Sequence, residues 1–576
     1  MSITLRGVAG AGGIAIGHVH LVSETTVDVV HLVLPDADIP AEVQRFDAAI
    51  KETRKQLEML WGSIPDNAPA ELGSFLSLHI MLLNDPALSR DPRGLIEEQR
   101  CNAEWALKQQ LEVLLAQFDE IEEDYLRERR ADVIQVADRI LKVLAGHVAC
   151  HTHAQLATDE ETILVAHDLS PADMVQYKDI EFAAFVTDAG GATSHTAILA
   201  RSLGIPSVVA MHNARELLKE GELVIVDGTQ GIVIAEPDEE ELAYYRHLAA
   251  AWNQNKISLT KIRTEAAVTL DSQQVELMGN IELPQDVDEV FENGAKSVGL
   301  FRSEFLFLSR DDLPSEDEQF EAYKAVASAL NGESVTIRTL DIGTDKIPRW
   351  FERGSGINPA LGLCGVRLTL AQPHIFQTQL RALLRASAFG NIQIMFPLLS
   401  ESRQIRQCVQ HVELAKQTLR EEGLPFNENI KIGGMVEIPA AAINVAGFLK
   451  DLSFVSIGTN DLVQYTLGVD RGDDQVAHLY NPAHPAVLHL LSHVIGTANR
   501  LGKEVSVCGE MAGDPRFTRL LLGMGLRKFS MHPASLLAVK QVVRTTDTAL
   551  LGEKVSEIIT QDDEDLVAPL LDALNV

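Results

Sequence analysis

Residues Lys431-Ile432-Gly433-Gly434-Met435-Val436-Glu437 form a short apolar run that ends on a carboxylate. Such a run reads as a strand, and a charge at the end of a buried strand is costly unless it is paired or bound. Seven more strand-like runs share that apolar texture. The other runs are Val275-Glu276-Leu277-Met278, Val298-Gly299-Leu300-Phe301, Val335-Thr336-Ile337-Arg338-Thr339-Leu340 and Ile392-Gln393-Ile394-Met395-Phe396-Pro397. Phe454-Val455-Ser456-Ile457-Gly458, Glu504-Val505-Ser506-Val507-Cys508 and Arg527-Lys528-Phe529-Ser530-Met531 complete the set. Helical stretches at 317–330, 401–420, 484–502 and 515–524 separate most of them. Eight strands alternating with helices over residues 261–576 predict a (β/α)8 TIM barrel, with a doubly wound open sheet as the alternative.

A barrel places its reactive groups at the C-terminal ends of the strands. Polar residues gather at those ends in this chain: Arg302 and Glu304, Arg338 and Asp341, Glu437, Asn460 and Asp461, and Cys508 and Glu510. Together they point to a shared site for an anionic substrate and a metal. Glu437 and Asp461 are hard oxygen ligands; with substrate oxygens and water they would complete an octahedral Mg2+ site. Arg302, Arg338 and Arg471 offer planar forks for phosphate or carboxylate, and Lys346 and Asn460 add donors. Cys508 is either a thiol that delivers a proton to carbon or one of the inert buried cysteines.

The first half has two textures. Residues 1–25 and 146–236 are rich in Gly, Val and Ile in short strand-like runs, and they read as one α/β domain. Residues 33–145 carry apolar positions at helical spacing over 40–60, 103–118 and 125–144, a helical bundle inserted into that domain. Asp168-Leu169-Ser170-Pro171 reads as a helix start, and residues 237–260 as a charged linker helix. Within the α/β part, Ala183-Ala184-Phe185-Val186-Thr187-Asp188 is a strand, and Gly190-Gly191-Ala192-Thr193-Ser194-His195-Thr196 leads from it into a helix. His195 therefore sits where backbone N–H groups gather and hold anions. From the residues alone it is a base, a ligand, a phosphate-carrying nucleophile or a polar cap.

Bulk properties set limits. A chain of 576 residues exceeds one hydrophobic core and implies about three or four domains. Lys and Arg number 49 against 82 Asp and Glu, a net charge of -33. That balance argues against nucleic acid and anionic membrane as partners and suits a basic protein. Five scattered cysteines (Cys101, Cys150, Cys364, Cys408, Cys508) make neither a disulfide framework nor a zinc cluster. No signal peptide and no transmembrane run is visible, so the expected compartment is the cytoplasm, with no direct membrane insertion.

Three long motifs carry a resemblance. Asp188-Ala189-Gly190-Gly191-Ala192-Thr193-Ser194-His195-Thr196 is similar to a phosphohistidine segment. Gly433-Gly434-Met435-Val436-Glu437-Ile438-Pro439-Ala440 and Ser456-Ile457-Gly458-Thr459-Asn460-Asp461-Leu462-Val463-Gln464-Tyr465 are similar to two barrel signatures. From Gly7 to the eighth barrel strand the chain resembles the PEP-utilising enzymes, a family that includes pyruvate phosphate dikinase and phosphoenolpyruvate synthase. Leu78-His79-Ile80-Met81-Leu82-Leu83-Asn84-Asp85 in the insert favours the branch of enzyme I, the phosphoenolpyruvate-protein phosphotransferase of the bacterial sugar phosphotransferase system.

The resemblance implies a swivelling α/β phosphohistidine domain with an inserted helical bundle, followed by a C-terminal TIM barrel. It implies that His195 takes phosphate from phosphoenolpyruvate and passes it to a histidine of the carrier protein HPr, the first step of sugar uptake. Thr193 or a backbone carbonyl would hold the second ring proton. Glu437 and Asp461 match the Mg2+ ligands, and Arg302, Arg338, Lys346, Asn460 and Arg471 match the substrate contacts. Cys508 matches the residue that protonates C3 of the enolate. The insert would dock HPr, and the barrel would form a homodimer. Three positions depart from the family: Ala192 and Cys364 stand where relatives carry Arg, and Thr344 where they carry Gly. A dikinase-like synthase would need a nucleotide-binding domain, and no stretch resembles one. A regulatory phosphorelay protein, or a catalytically weakened paralogue signalling phosphoenolpyruvate supply, is the alternative function.

Overall fold

The computed structural model describes residues 2–22, 29–62, 76, 79–83, 85–119, 124–145, 162–167, 182–190, 196, 200, 205–307, 312–342, 361–470 and 476–575. The chain divides into two units, Met1–Lys256 and Ile257–Val576.

Among the described residues the first unit has eight strands: β1 (Ile3–Arg6), β2 (Val8–Ala11), β3 (Ile14–Leu21), β4 (Thr162–Ala166), β5 (Ala184–Thr187), β6 (Ser207–Val209), β7 (Leu223–Asp227) and β8 (Ile232–Ala235). They form one sheet in the order β1-β8-β7-β3-β4-β5-β6-β2. Strands β3 to β6 run parallel, and the flanking pairs are antiparallel. The parallel centre follows from composition. Residues 163–166 and 184–187 are buried without a break, as strands covered on both faces must be. Alternate residues serve different cores. Ile163 and Val165 join Val186, Val224 and Val233, whereas Leu164, Ala166 and Phe185 pack with the helical segment.

That segment comprises helices Ile39–Gly62, Asp91–Gln99, Ala103–Asp119 and Asp124–Leu144. Phe46, Leu57, Leu107 and Ile140 form its core. The helix Glu239–Lys261 follows the sheet and lays Tyr245 against Ile225, Ile232 and Ile234.

The second unit is a closed barrel of parallel strands, as its alternating sequence predicts. The strands are β9 (Glu276–Ile281), β10 (Val298–Arg302), β11 (Ser334–Arg338), β12 (Asn391–Phe396), β13 (Lys431–Val436), β14 (Phe454–Ile457), β15 (Glu504–Val507) and β16 (Lys528–Met531). Each pairs with the next, and β16 closes onto β9. The open-sheet alternative is thereby excluded. Leu300, Met395, Met435, Phe454 and Cys508 form one small cluster of buried side chains within this unit. At the strand starts, Glu504 pairs with Lys431 at 2.6 Å and with Lys528 at 2.8 Å, and Lys528 reaches Glu276 at 3.0 Å. These pairs neutralise charge at the N-terminal rim. Among the described residues, no helix is long and apolar enough to cross a membrane.

Candidate functional site

All strands of the barrel point the same way, so the residues that follow them share one rim. Arg302 is the last residue of β10, and Glu304 lies in the 3-10 turn Ser303–Leu306 behind it. Arg338 ends β11, with Asp341 three residues on. Glu437 follows β13, and Cys508 follows β15. Asn460 and Asp461 differ slightly from the sequence expectation: they occupy the first turn of helix Thr459–Leu467, one step beyond the end of β14.

Arg338 is the hub. Its guanidinium is almost fully buried and pairs with Glu304 and with Asp341, the latter at 2.7 Å. Its Nη1 also points at the sulfur of Met435, 3.7 Å away. Burial opposes its charge, but Asp341, Glu304, Glu437 and Asp461 outweigh that and hold the proton more tightly than usual. The fork that the sequence assigned to substrate is therefore engaged by the protein's own carboxylates.

Glu437 is 1% exposed. Its Oε1 accepts a hydrogen bond from the backbone N–H of Leu398, a residue held at φ +52°. Positive φ in a leucine is strained, and here the strain aims an N–H at a carboxylate. Oε2 has no hydrogen-bond partner among the described residues. Burial, then Asp341 and Asp461, push this carboxyl well above the usual range, with Arg338 opposing them. A buried carboxylate oxygen without a donor, facing further acids, is the electrostatic setting that a divalent cation relieves. Gly458 permits it, because a Cβ there would lie 3.0 Å from Oε2. Among the described residues no set of three or more His, Cys, Asp and Glu gathers as a complete chelate. Glu437 and Asp461 thus fit a hard cation as a pair that needs ligand oxygens from elsewhere.

The remaining expected residues are distributed around these two. Arg302 is partly exposed and donates to Glu282 at 2.9 Å. Asn460 and Glu510 exchange hydrogen bonds: Asn460 Nδ2 donates to Oε1 at 3.1 Å, and the Glu510 N–H donates to Oδ1 at 2.8 Å. Cys508 donates to the carbonyl of Ile457 at 3.6 Å, and burial raises its thiol to about 11, against Ser456 and Arg338. Cys364 is buried at the start of helix Gly365–Ala371, its Sγ 3.5 Å from the carbonyl oxygen of Gly362.

Tyr465 belongs to the same site and went unassigned in the sequence. It sits four residues after Asp461 on one helix, hence on the same face. Its phenol is raised by burial first, then by Cys364, Asp461, Glu437 and Asp341. The signal available was that i, i+4 spacing.

His195, Lys346 and Arg471 lie outside the described residues, as do Ala192, Thr344 and the helix start at 168–171. Asp188, the residue after β5, accepts the N–H of Ala214 at 2.5 Å and of Arg215 at 3.4 Å.

Three family models match the chain. The PEP-binding domain of PEP-utilising enzymes covers residues 256–548, their N-terminal domain 6–129 and their mobile domain 158–231. A phosphoenolpyruvate-protein phosphotransferase of Cupriavidus necator is 48% identical over 99% of both chains. One from Listeria monocytogenes is 38% identical over 99% of each, and one from Geobacillus stearothermophilus 40% identical over 97% of each.

Proposed function

Since the chain belongs to the PEP-utilising enzymes, and among them to the phosphoenolpyruvate-protein phosphotransferases, we propose that it moves the phosphoryl group of phosphoenolpyruvate onto His195 and then onto a histidine of HPr, opening the phosphotransferase route of sugar uptake. The observation that carries this reading is the barrel rim itself. Arg338 amid Glu304, Asp341, Glu437 and Asp461, with a Glu437 oxygen that has no partner among the described residues, supports a site where a cation and an anionic substrate meet.

Glu437 and Asp461 would hold Mg2+. When bound, that ion supplies charge neutralisation on the phosphate and enol oxygens. Arg302, Arg338, Lys346, Asn460 and Arg471 hold the phosphate and carboxylate of the substrate and fix its orientation. Neutral His195 attacks phosphorus through Nε2. The N–P bond forms as the P–O bond to the enol oxygen breaks, and enolpyruvate leaves as its enolate. The thiol of Cys508 gives its proton to C3, which makes pyruvate, and the thiolate regains a proton from water. A buried thiol raised to about 11 supports this role, because it is fully protonated at neutral pH. In the second half-reaction the carrier's imidazole attacks the same phosphorus, and His195 is released.

Residues 1–25 and 146–236 form the phosphohistidine domain in this reading. The helical domain, residues 33–145, docks HPr through exposed Met59, Trp61, Met81 and Val113. The barrel makes a homodimer, to which exposed Leu361, Ile443 and Leu479 would contribute apolar surface.

The test uses phosphoenolpyruvate carrying labelled phosphate, with Mg2+, with and without HPr. Wild type acquires acid-labile label that chases onto the carrier, and H195A acquires none. Absence of label on wild type overturns the reading.

A further inference from the structure

We propose that Gln379, on the outer helix Pro373–Ala386, is a positioning residue for the Glu304–Arg338–Asp341 group; the proposal rests on the phosphotransfer reading of that group.

Helix Pro373–Ala386 packs Phe376, Leu380, Leu383 and Leu384 into the barrel core. Gln379 lies on the same buried face and is itself fully inaccessible. A primary amide in such surroundings is unfavourable unless its polar atoms find partners. These do. Oε1 accepts the N–H of Leu340 at 2.8 Å. Nε2 donates to Ser303 Oγ at 2.9 Å and to the Tyr323 hydroxyl at 3.1 Å. Ser303 Oγ in turn donates to the carbonyl of Arg338 at 2.5 Å. The Tyr323 hydroxyl donates to Gln319 at 3.2 Å, and Gln319 donates to the Pro314 carbonyl at 3.0 Å.

The partners are what give this arrangement meaning. Ser303 immediately precedes Glu304. Leu340 lies between Arg338 and Asp341, beyond the end of β11, where the barrel ladder has stopped. One side chain therefore ties together the two segments that carry Arg338 and the two carboxylates paired with it. A leucine could fill the volume but would leave the Leu340 N–H buried without an acceptor. Only a group with an acceptor and two donors at one point serves both segments. The guanidinium is held between Glu304 and Asp341, so its placement toward substrate depends on where those two segments stand, and its backbone is fixed from behind by this link.

The experiment measures steady-state transfer from phosphoenolpyruvate to HPr in full-length wild type, Q379L, S303A and the double variant. Q379L is expected to raise KM for phosphoenolpyruvate on the order of 10–100-fold, as loss of an orienting partner does, with a smaller change in kcat. S303A moves KM the same way by less. The double variant is no worse than Q379L, because both remove one link. If Q379L does not fold, S303A still decides: an unchanged KM overturns the proposal. A Q379L enzyme that merely melts earlier, with wild-type KM, also overturns it. Wild type that takes no label overturns the phosphotransfer reading and this proposal with it, a distinguishable result.

Discussion

Arg338 and Cys508 show how one site keeps two groups protonated by different means. The arginine is held charged by four carboxylates, and the cysteine is held neutral by burial. The thiol leads to a measurable pH effect. Its folded value of about 11 stands above the ordinary 9.0, so the native state keeps this proton longer than the unfolded chain. The associated stability is present below pH 9 and is lost as pH rises toward 11. Thermal melting of wild type against C508A should show the gap between the two narrowing over that window. Iodoacetamide should alkylate Cys508 slowly throughout the neutral range, and C508A should release enolpyruvate that ketonises only in bulk solvent, slowing pyruvate formation. The charged residues of this rim were legible in the sequence because each follows an apolar run. Their pairings were not: nothing in the order of residues says that Glu304 and Asp341 share Arg338. Gln379 gave no sign at all, since a glutamine in an amphipathic helix ordinarily faces water.

At the scale of elements, the positions of Asn460 and Asp461 depend on how closely helix Thr459–Leu467 approaches the turn after β15. Gly509 sets that distance. A Cβ there would stand 2.0 Å from Thr459 Oγ1 and 2.6 Å from its backbone nitrogen. G509A should displace the helix start, cost about 1–3 kcal/mol of stability, and lower Mg2+ affinity measured by calorimetry, while leaving the far side of the barrel unchanged. All eight barrel strands were readable because each is a short apolar run set off by helical periodicity. Their exact ends were less so: Thr339 and Leu340 continue the apolar run past the last ladder residue, Arg338. The strained turn at Leu398 was invisible, because leucine carries no preference for positive φ.

At the scale of the whole molecule, the two units own separate cores. Among the described residues, the barrel core draws only on residues beyond 256, and the sheet and helical cores only on residues before it. Scanning calorimetry should resolve more than one transition, and phosphoenolpyruvate with Mg2+ should raise the transition of residues 257–576 alone, by mass action. A single transition moved as a whole by ligand would contradict this. The division into an α/β part, a helical insertion and a barrel was legible from texture, but the pairing that joins the chain's first residues to its later strands lies in register, which composition does not encode. That pairing also sets a schedule for synthesis. Ile3 pairs with Ala235, and β3 waits for both β4 and β7. At about 5–20 residues per second, the opening strands spend on the order of 10–50 s outside the ribosome before their neighbours exist. Meanwhile the helices of residues 39–144 can already coil beside them. The nascent chain thus carries bare strand edges for much of its birth, and the segment most exposed to mispairing is the one made first.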